Sequence, residues 1–228
     1  MYEIYETKER VMADNEAEAE KLRAFLRSNR TFFINLMGSP GSGKTSVLIH
    51  TINRLKEKYR IAVMEADVDS SVDAETISKL GVKVIQLHSG GLCHMDADMT
   101  ARGIERLGIE DIDLLIMENI GNLVCPAEFD VGAALKVMIL SVPEGDDKPL
   151  KYPLMFTVSN VMLINKIDAL PVFDFDQDKA LERARKLNPE IIAFPMSTIT
   201  GEGVSEWVEW LDKQIEEAHE RRLRRCRR

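Results

Sequence analysis

From Thr31 onward, apolar and polar positions alternate in a two-part rhythm. Short, nearly continuous apolar runs occupy Thr31–Met37, Arg60–Glu65, Lys83–Leu87, Leu114–Glu118, Val137–Val142, Val161–Asn165 and Ile191–Met196. Runs of this length and composition read as strands buried on both faces. Between most of them apolar residues return every three or four positions. Val47, Leu48, Ile52 and Leu55 mark a helix from Ser46, and helical spacing recurs near 73–80, 96–107, 176–187 and 203–222. Strand–helix alternation predicts an α/β fold: a doubly wound, mostly parallel sheet with helices on both faces and ligands at the carboxyl ends of the strands. Residues 9–29 are charged, Ala-rich and helical in pattern, with Val11, Leu22, Phe25 and Leu26 as packing candidates; this segment is expected on the outside. Pro143–Pro153 breaks the rhythm and is expected as a loop at the ligand-bearing end. The chain divides on this reading into a helical extension (1–30), one α/β domain (31–215) and a basic tail (216–228).

The first strand feeds Gly38-Ser39-Pro40-Gly41-Ser42-Gly43-Lys44-Thr45, a complete G-x-x-x-x-G-K-[ST] phosphate loop, and the helix opens at Ser46. Strand, Gly-rich turn and helix N-terminus together make an anion site, because backbone N–H groups and the helix dipole converge there. Gly41, Ser42, Gly43, Lys44, Thr45 and Ser46 are therefore candidate phosphate contacts. Lys44 is placed to reach the outer phosphates and Thr45 to put its hydroxyl on Mg²⁺.

Asn165-Lys166-Ile167-Asp168 closes the strand Val161–Asn165. A carboxylate at Asp168 can accept from N1–H and the exocyclic amine of guanine; adenine lacks that donor pattern and would leave the carboxylate unsatisfied. Asn165 can brace the loop and the stem of Lys166 can cover the ring. Ser197-Thr198, after the next strand, is a candidate backbone contact to the base. GTP and GDP are the expected ligands, and 31–215 reads as a P-loop GTPase domain.

Glu65-Ala66-Asp67-Val68-Asp69 ends the second strand, and Glu118-Asn119-Ile120-Gly121 the fourth. Mg²⁺ takes oxygen ligands and keeps several waters, so one or two carboxylates beside Thr45 suffice. Asp67 and Glu118 are the expected ligands and, with Lys44, the expected catalytic group. Gly121 is placed to contact a γ-phosphate through its N–H. Asn122 stands where several GTPases use Gln to position water, and Asp67 and Asp73 are weaker candidates for that role. With no obvious base, slow intrinsic turnover is expected.

A net charge of −8 over 228 residues argues against a general nucleic-acid surface. The exception is the tail Arg221–Arg228, which reads as a solvated helix end. No signal peptide or long apolar run is present, so a soluble, cytoplasmic protein with no membrane segment is expected. Three cysteines argue against a disulfide framework and leave metal binding open. Cys93-His94 lies between a strand and a helix, and Cys125 just beyond Gly121. Two thiolates and an imidazole suit Ni²⁺ or Zn²⁺, completed by water or across a dimer. Spacing alone supports this weakly, and Cys226 has no visible partner.

Taken together, the phosphate loop, Gly90–His94, Glu-Asn-Ile-Gly-Asn-Leu-Val-Cys-Pro at 118–126, Glu-Gly-Asp-Asp-Lys-Pro-Leu-Lys-Tyr-Pro at 144–153 and Asn-Lys-Ile-Asp at 165–168 resemble the hydrogenase nickel-incorporation GTPases, the HypB family of SIMIBI-class P-loop GTPases. The resemblance covers roughly residues 30 to 215, and the 118–126 and 144–153 stretches are its specific part. It implies a metallochaperone that delivers nickel during [NiFe]-hydrogenase maturation, a GTP-dependent homodimer, and metal held at the interface by Cys93, His94 and Cys125. The implied partners are a HypA-type zinc metallochaperone and the hydrogenase large-subunit precursor. Lys148 is a candidate to reach the nucleotide or the facing subunit. Two alternatives stay open: a related GTPase serving another nickel or cobalt enzyme such as urease, and a non-enzymatic metal-binding scaffold. Urease-type chaperones resemble a Cys-Pro-His motif, whereas here Cys125-Pro126 is followed by Ala127.

Overall fold

A computed structural model describes residues 7–67 and 72–225, with side chains placed from 12 to 67 and from 73 to 220. Seven strands form one parallel sheet: β1 (Phe32–Gly38), β2 (Ile61–Asp67), β3 (Lys83–His88), β4 (Leu114–Glu118), β5 (Leu135–Ser141), β6 (Val161–Asn165) and β7 (Ile192–Pro195). Their order is β3-β2-β4-β1-β5-β6-β7, which puts β1 in the middle. The doubly wound α/β expectation is met, and Leu114–Glu118 is strand at both of its expected limits.

Successive side chains of a strand point to opposite faces, and β1 shows the consequence. Ile34 and Leu36 join one core with Val47, Leu48 and Ile52 of α2 (Lys44–Leu55) and Trp207 and Leu211 of α9 (Val204–Arg225). Phe33 and Met37 face the other way, into two further clusters. Phe33 meets α1 (Thr7–Ser28) and α4 (Ala97–Leu107) through Leu26 and Ile104. Met37 packs with Met155, Phe156 and Ala184, which belong to α7 (Pro153–Val158) and α8 (Gln177–Leu187). The short α3 (Val72–Ser78) contributes Ile77 to the first core.

Helix α1 is attached more closely than an outer extension requires. Leu22 and Leu26 are buried as expected, while Phe25 is exposed; the side chain of Val11 lies outside the described residues. Burying a Leu of this kind contributes about 1.5–3 kcal/mol. Asp130 adds a polar anchor: its Oδ2 accepts from Arg23 at 2.9 Å and from Lys136 at 2.9 Å, and Asn15 donates to its carbonyl.

The 143–153 segment departs from expectation, because it is folded into short helical turns. A 3₁₀ turn covers Val142–Glu144 and α6 covers Lys148–Lys151, with α7 following directly. Pro143, Pro149 and Pro153 occupy first-turn positions, where a missing N–H costs nothing. Glu144 folds back to accept from the N–H and Oγ of Ser141. A turn of helix, α5 (Cys125–Glu128), also appears where none was expected; Pro126 again starts it.

Burial works to raise the pKa of Asp130, but Lys136, the Gly132 N–H and Arg23 prevail and hold it below the usual carboxylate value. A depressed folded value means that this stabilisation is present above the unfolded pKa and lost as pH falls through the folded one. Asp130→Asn is expected to lower stability by about 1–2 kcal/mol at pH 7, since the charged groups keep roughly a quarter of their exposure. Urea unfolding at pH 7 and at pH values below about 4 checks this: the gap to wild type must shrink on acidification.

Candidate nucleotide site and thiol cluster

The parallel register brings the ends of β1, β2, β4 and β6 to one edge, and a cleft of about 600 Å³ opens there. Its walls include Gly41, Gly43, Lys44, Thr45 and Ser46 from the phosphate loop, Glu118 and Gly121 after β4, and Lys166 after β6. Gly43 adopts φ 98, a left-handed conformation that only glycine reaches without strain, and α2 starts from it. Lys44 is buried and curls into the loop, with Nζ 3.3 Å from the Ser39 carbonyl and 3.5 Å from that of Gly38. The Ser42 hydroxyl is buried with no partner among the described residues, as suits a donor awaiting an anion.

The loop after β6 is tied to the phosphate loop. Asn165 Nδ2 donates to the Ser42 carbonyl at 3.0 Å and Lys166 Nζ to that of Gly41 at 2.6 Å. Lys166 itself sits at φ 62. The Ser197 hydroxyl donates to Asp168 Oδ1 at 2.5 Å, which fixes that carboxylate. The Ser197 N–H donates to the Glu202 carbonyl at 2.9 Å, where the turn closes on itself. Thr198 faces α2 through its carbonyl, which accepts from His50 Nε2 at 2.9 Å. Trp207 Nε1 donates to Thr51 Oγ1, a second anchor for the same helix.

Carboxylates converge opposite Thr45. Glu65 and Glu118 are register partners on β2 and β4, and each is nearly buried. Glu118 Oε1 accepts from Thr45 Oγ1 at 2.9 Å. Glu65, Asp73 and Glu118 bring ligand oxygens within 4.8 Å of one another. Asp67 lines the cleft but is not in that trio. It lies two residues beyond Glu65, past the last β2–β4 pair, Glu65 with Glu118, and its register partner on β3 is His88. Glu65 was not read as a candidate ligand because its register partner cannot be read from the chain. Val68 and Asp69 lie outside the described residues. Burial first, then the charge of Glu118, pushes the Glu65 carboxyl far up. Glu118 is also raised by burial, against the pull of Lys44. Oε2 of each lacks a partner among the described residues, so the trio fits a divalent cation on donor type and on unmet bonding.

Close by, the β3–α4 and β4–α5 loops meet. Cys93 Sγ stands 2.8 Å from Cys125 Sγ and 3.9 Å from His94 Nδ1, and both cysteines are free. The His94 ring stacks on Phe129 at 3.8 Å. Burial lowers the His94 pKa and so favours the neutral ring that a metal needs. The Cys125 thiol is raised, by its hydrogen bond with Cys93 and then by burial, while Asn122 acts the other way. Asn122 is not in the cleft wall; its Nδ2 donates to the Cys93 carbonyl at 3.4 Å. Ala127, the residue after Cys125-Pro126, is buried in the core and carries no donor atom. Lys148 folds over its own loop, 3.8 Å from Glu144 and above the Tyr152 ring. Cys226 lies outside the described residues.

Residues 32–195 match the family described as CobW/HypB/UreG, nucleotide-binding domain. The hydrogenase maturation factor HypB of Escherichia coli K12 is 46% identical over 204 residues, covering 90% of this chain and 70% of its own length. The chain belongs to the HypB family of P-loop GTPases. The solved HypB of Archaeoglobus fulgidus is 37% identical, with a TM-score of 0.83 over 89% of this chain and 99% of its own. HypB of Helicobacter pylori, solved in complex with nickel, is 35% identical, also with a TM-score of 0.83, over 90% of this chain and 97% of its own. Membership makes this chain a GTPase of hydrogenase maturation. No described helix is long and apolar enough to cross a membrane.

The tie between the two loops is testable. A Cβ on Gly43 would stand 2.3 Å from Asn165 Nδ2, whereas one on Gly41 would meet nothing within 4 Å. Gly43→Ala is expected to weaken GDP binding at least about tenfold, and Gly41→Ala less, since only the first adds a clash to the left-handed strain. Titration with a fluorescent GDP analogue gives both numbers.

Proposed function

We propose that this GTPase couples its nucleotide state to the holding and release of nickel for a [NiFe]-hydrogenase precursor. One observation carries the reading. Gly121, at the end of the phosphate cleft, and Cys125, in the thiol cluster, lie four positions apart on one segment. A Cβ on Gly121 would stand 2.9 Å from the Pro40 ring, so the segment rests directly on the phosphate loop.

In this reading Gly41 to Ser46 hold the phosphates and Lys44 neutralises charge on the transferring group. Asp168, set by Ser197, takes the guanine edge; Asn165 and Lys166 hold the base loop against the phosphate loop. Thr45 and Glu118, with Glu65 and Asp73 beside them, hold Mg²⁺, which when bound neutralises charge developing on the phosphate oxygens. Asp67 and Asp73 are the groups placed to orient water. Gly121 senses the γ-phosphate, and its displacement carries Cys125 with it.

Cys93, His94 and Cys125 hold the cargo. Three ligands leave a position for water or a second copy of the chain, and GTP-dependent dimerisation closes that position. A HypA-type zinc metallochaperone and the hydrogenase large-subunit precursor are the partners this implies, in the cytoplasm. The chain from 31 to 215 acts as the GTPase domain, with 1–30 and 216–228 as its flanking segments.

Two experiments follow. Asp168→Asn exchanges an acceptor for a donor toward the base; GTP affinity is expected to fall about 100-fold or more, and xanthosine triphosphate, which has a carbonyl where guanine has its amine, should gain. Equal losses for both nucleotides would remove Asp168 from the base site. Analytical ultracentrifugation with GDP or a non-hydrolysable GTP analogue, with and without Ni²⁺, tests assembly. The analogue with nickel should shift wild type to dimer, and Cys93→Ala should lose the nickel effect. A monomer in every state would sink the interface site.

A further inference from the structure

The residue after Gly121 is placed to do something other than orient water. Asn122 forms an isolated antiparallel bridge with Gly38, the first residue of the phosphate loop. Its side chain turns away from the cleft. Nδ2 donates to the Cys93 carbonyl at 3.4 Å, and Oδ1 accepts from the Val124 N–H at 2.8 Å, just before the turn that presents Cys125. One residue therefore holds the phosphate loop through its backbone and both cysteine-bearing loops through its amide. Cys93 and Cys125 lie 32 positions apart, and Asn122 bonds to the backbone of the first and beside that of the second.

We propose that Asn122 is the positioning residue that transmits nucleotide state to the spacing of the Cys93 and Cys125 sulfurs. The proposal rests on the coupling of nucleotide and nickel argued above and names the part that carries it. Movement of the phosphate loop shifts the Gly38 bridge; the bridge moves the Asn122 backbone; the amide then drags one cysteine loop relative to the other. An alanine at 122 keeps the bridge, which is backbone, and cuts both amide contacts. A γ-phosphate sensor acting through Gly121 alone would still move Cys125 but would leave Cys93 behind.

The test is a linkage measurement on the full chain. Ni²⁺ is titrated calorimetrically into wild type and Asn122→Ala, each loaded with Mg-GDP or a non-hydrolysable GTP analogue. Wild type is expected to show nickel Kd values differing by about fivefold or more between the two nucleotides, and the variant by less than about twofold, because coupling of this kind is usually at least fivefold. Reciprocity requires that the effect of nickel on the ratio of analogue to GDP affinity shrink by the same factor, an internal check on the titrations. The variant should still bind GDP as wild type does. An unchanged nickel ratio in Asn122→Ala would overturn the role of Asn122 while leaving the coupling intact. A ratio of one in wild type would instead overturn the coupling itself, and the proposal with it. Should Asn122→Ala not fold by circular dichroism, Asn122→Gln replaces it: the amide is kept but set one methylene further out, and the same loss of ratio is expected.

Discussion

Everything functional in this molecule depends on β1 lying in the middle of a parallel sheet. Its neighbours run in the same direction, so the ends of β1, β2, β4, β5 and β6 reach one edge together. That edge receives the turn after β1, the carboxylates of β2 and β4, and the base loop after β6. Parallel strands need both faces covered, and three apolar clusters supply the cover. The loops can then be short and polar, with glycine at the left-handed positions of the phosphate loop, because the strands beneath them are packed on both faces. Side-chain bonds finish the work: His50 and Thr51 anchor α2 to the 198 turn and to Trp207.

What could be read in the chain was whatever is contiguous. The phosphate loop and Asn165–Asp168 are short runs whose neighbours in sequence supply their setting, and each lies at the strand end that its pattern required. The fold class followed for the same reason, since buried parallel strands are visible as apolar runs. Glu65 escaped because its importance comes from facing Glu118 across a strand pair; Asp67 was the residue that an isolated stretch favoured. The helical turns in 142–151 escaped because Pro suggests a break, although it is well tolerated in a first turn.

The thiol cluster falls between these cases. Donor chemistry grouped Cys93, His94 and Cys125, spacing gave the group little weight, and resemblance to a family raised it. Geometry supplies the independent support: loops from β3 and β4 converge, and three donor atoms lie within 4.8 Å. Asn122 was read from its position after Glu-Asn-Ile-Gly as a possible partner for water. Its side chain faces the sulfurs, and no sequence pattern reveals which way an amide turns.

The crowded carboxyls of Glu65 and Glu118 have a thermodynamic consequence for the whole chain. Two desolvated acids side by side, each with an unmet oxygen, are relieved only by a proton or a cation. At neutral pH the strongly raised Glu65 carboxyl keeps its proton, and a cation that binds there must displace it. A cation that binds there and not to the unfolded chain adds to resistance to unfolding, so the melting behaviour of this chain depends on the ionic composition around it as well as on its own sequence.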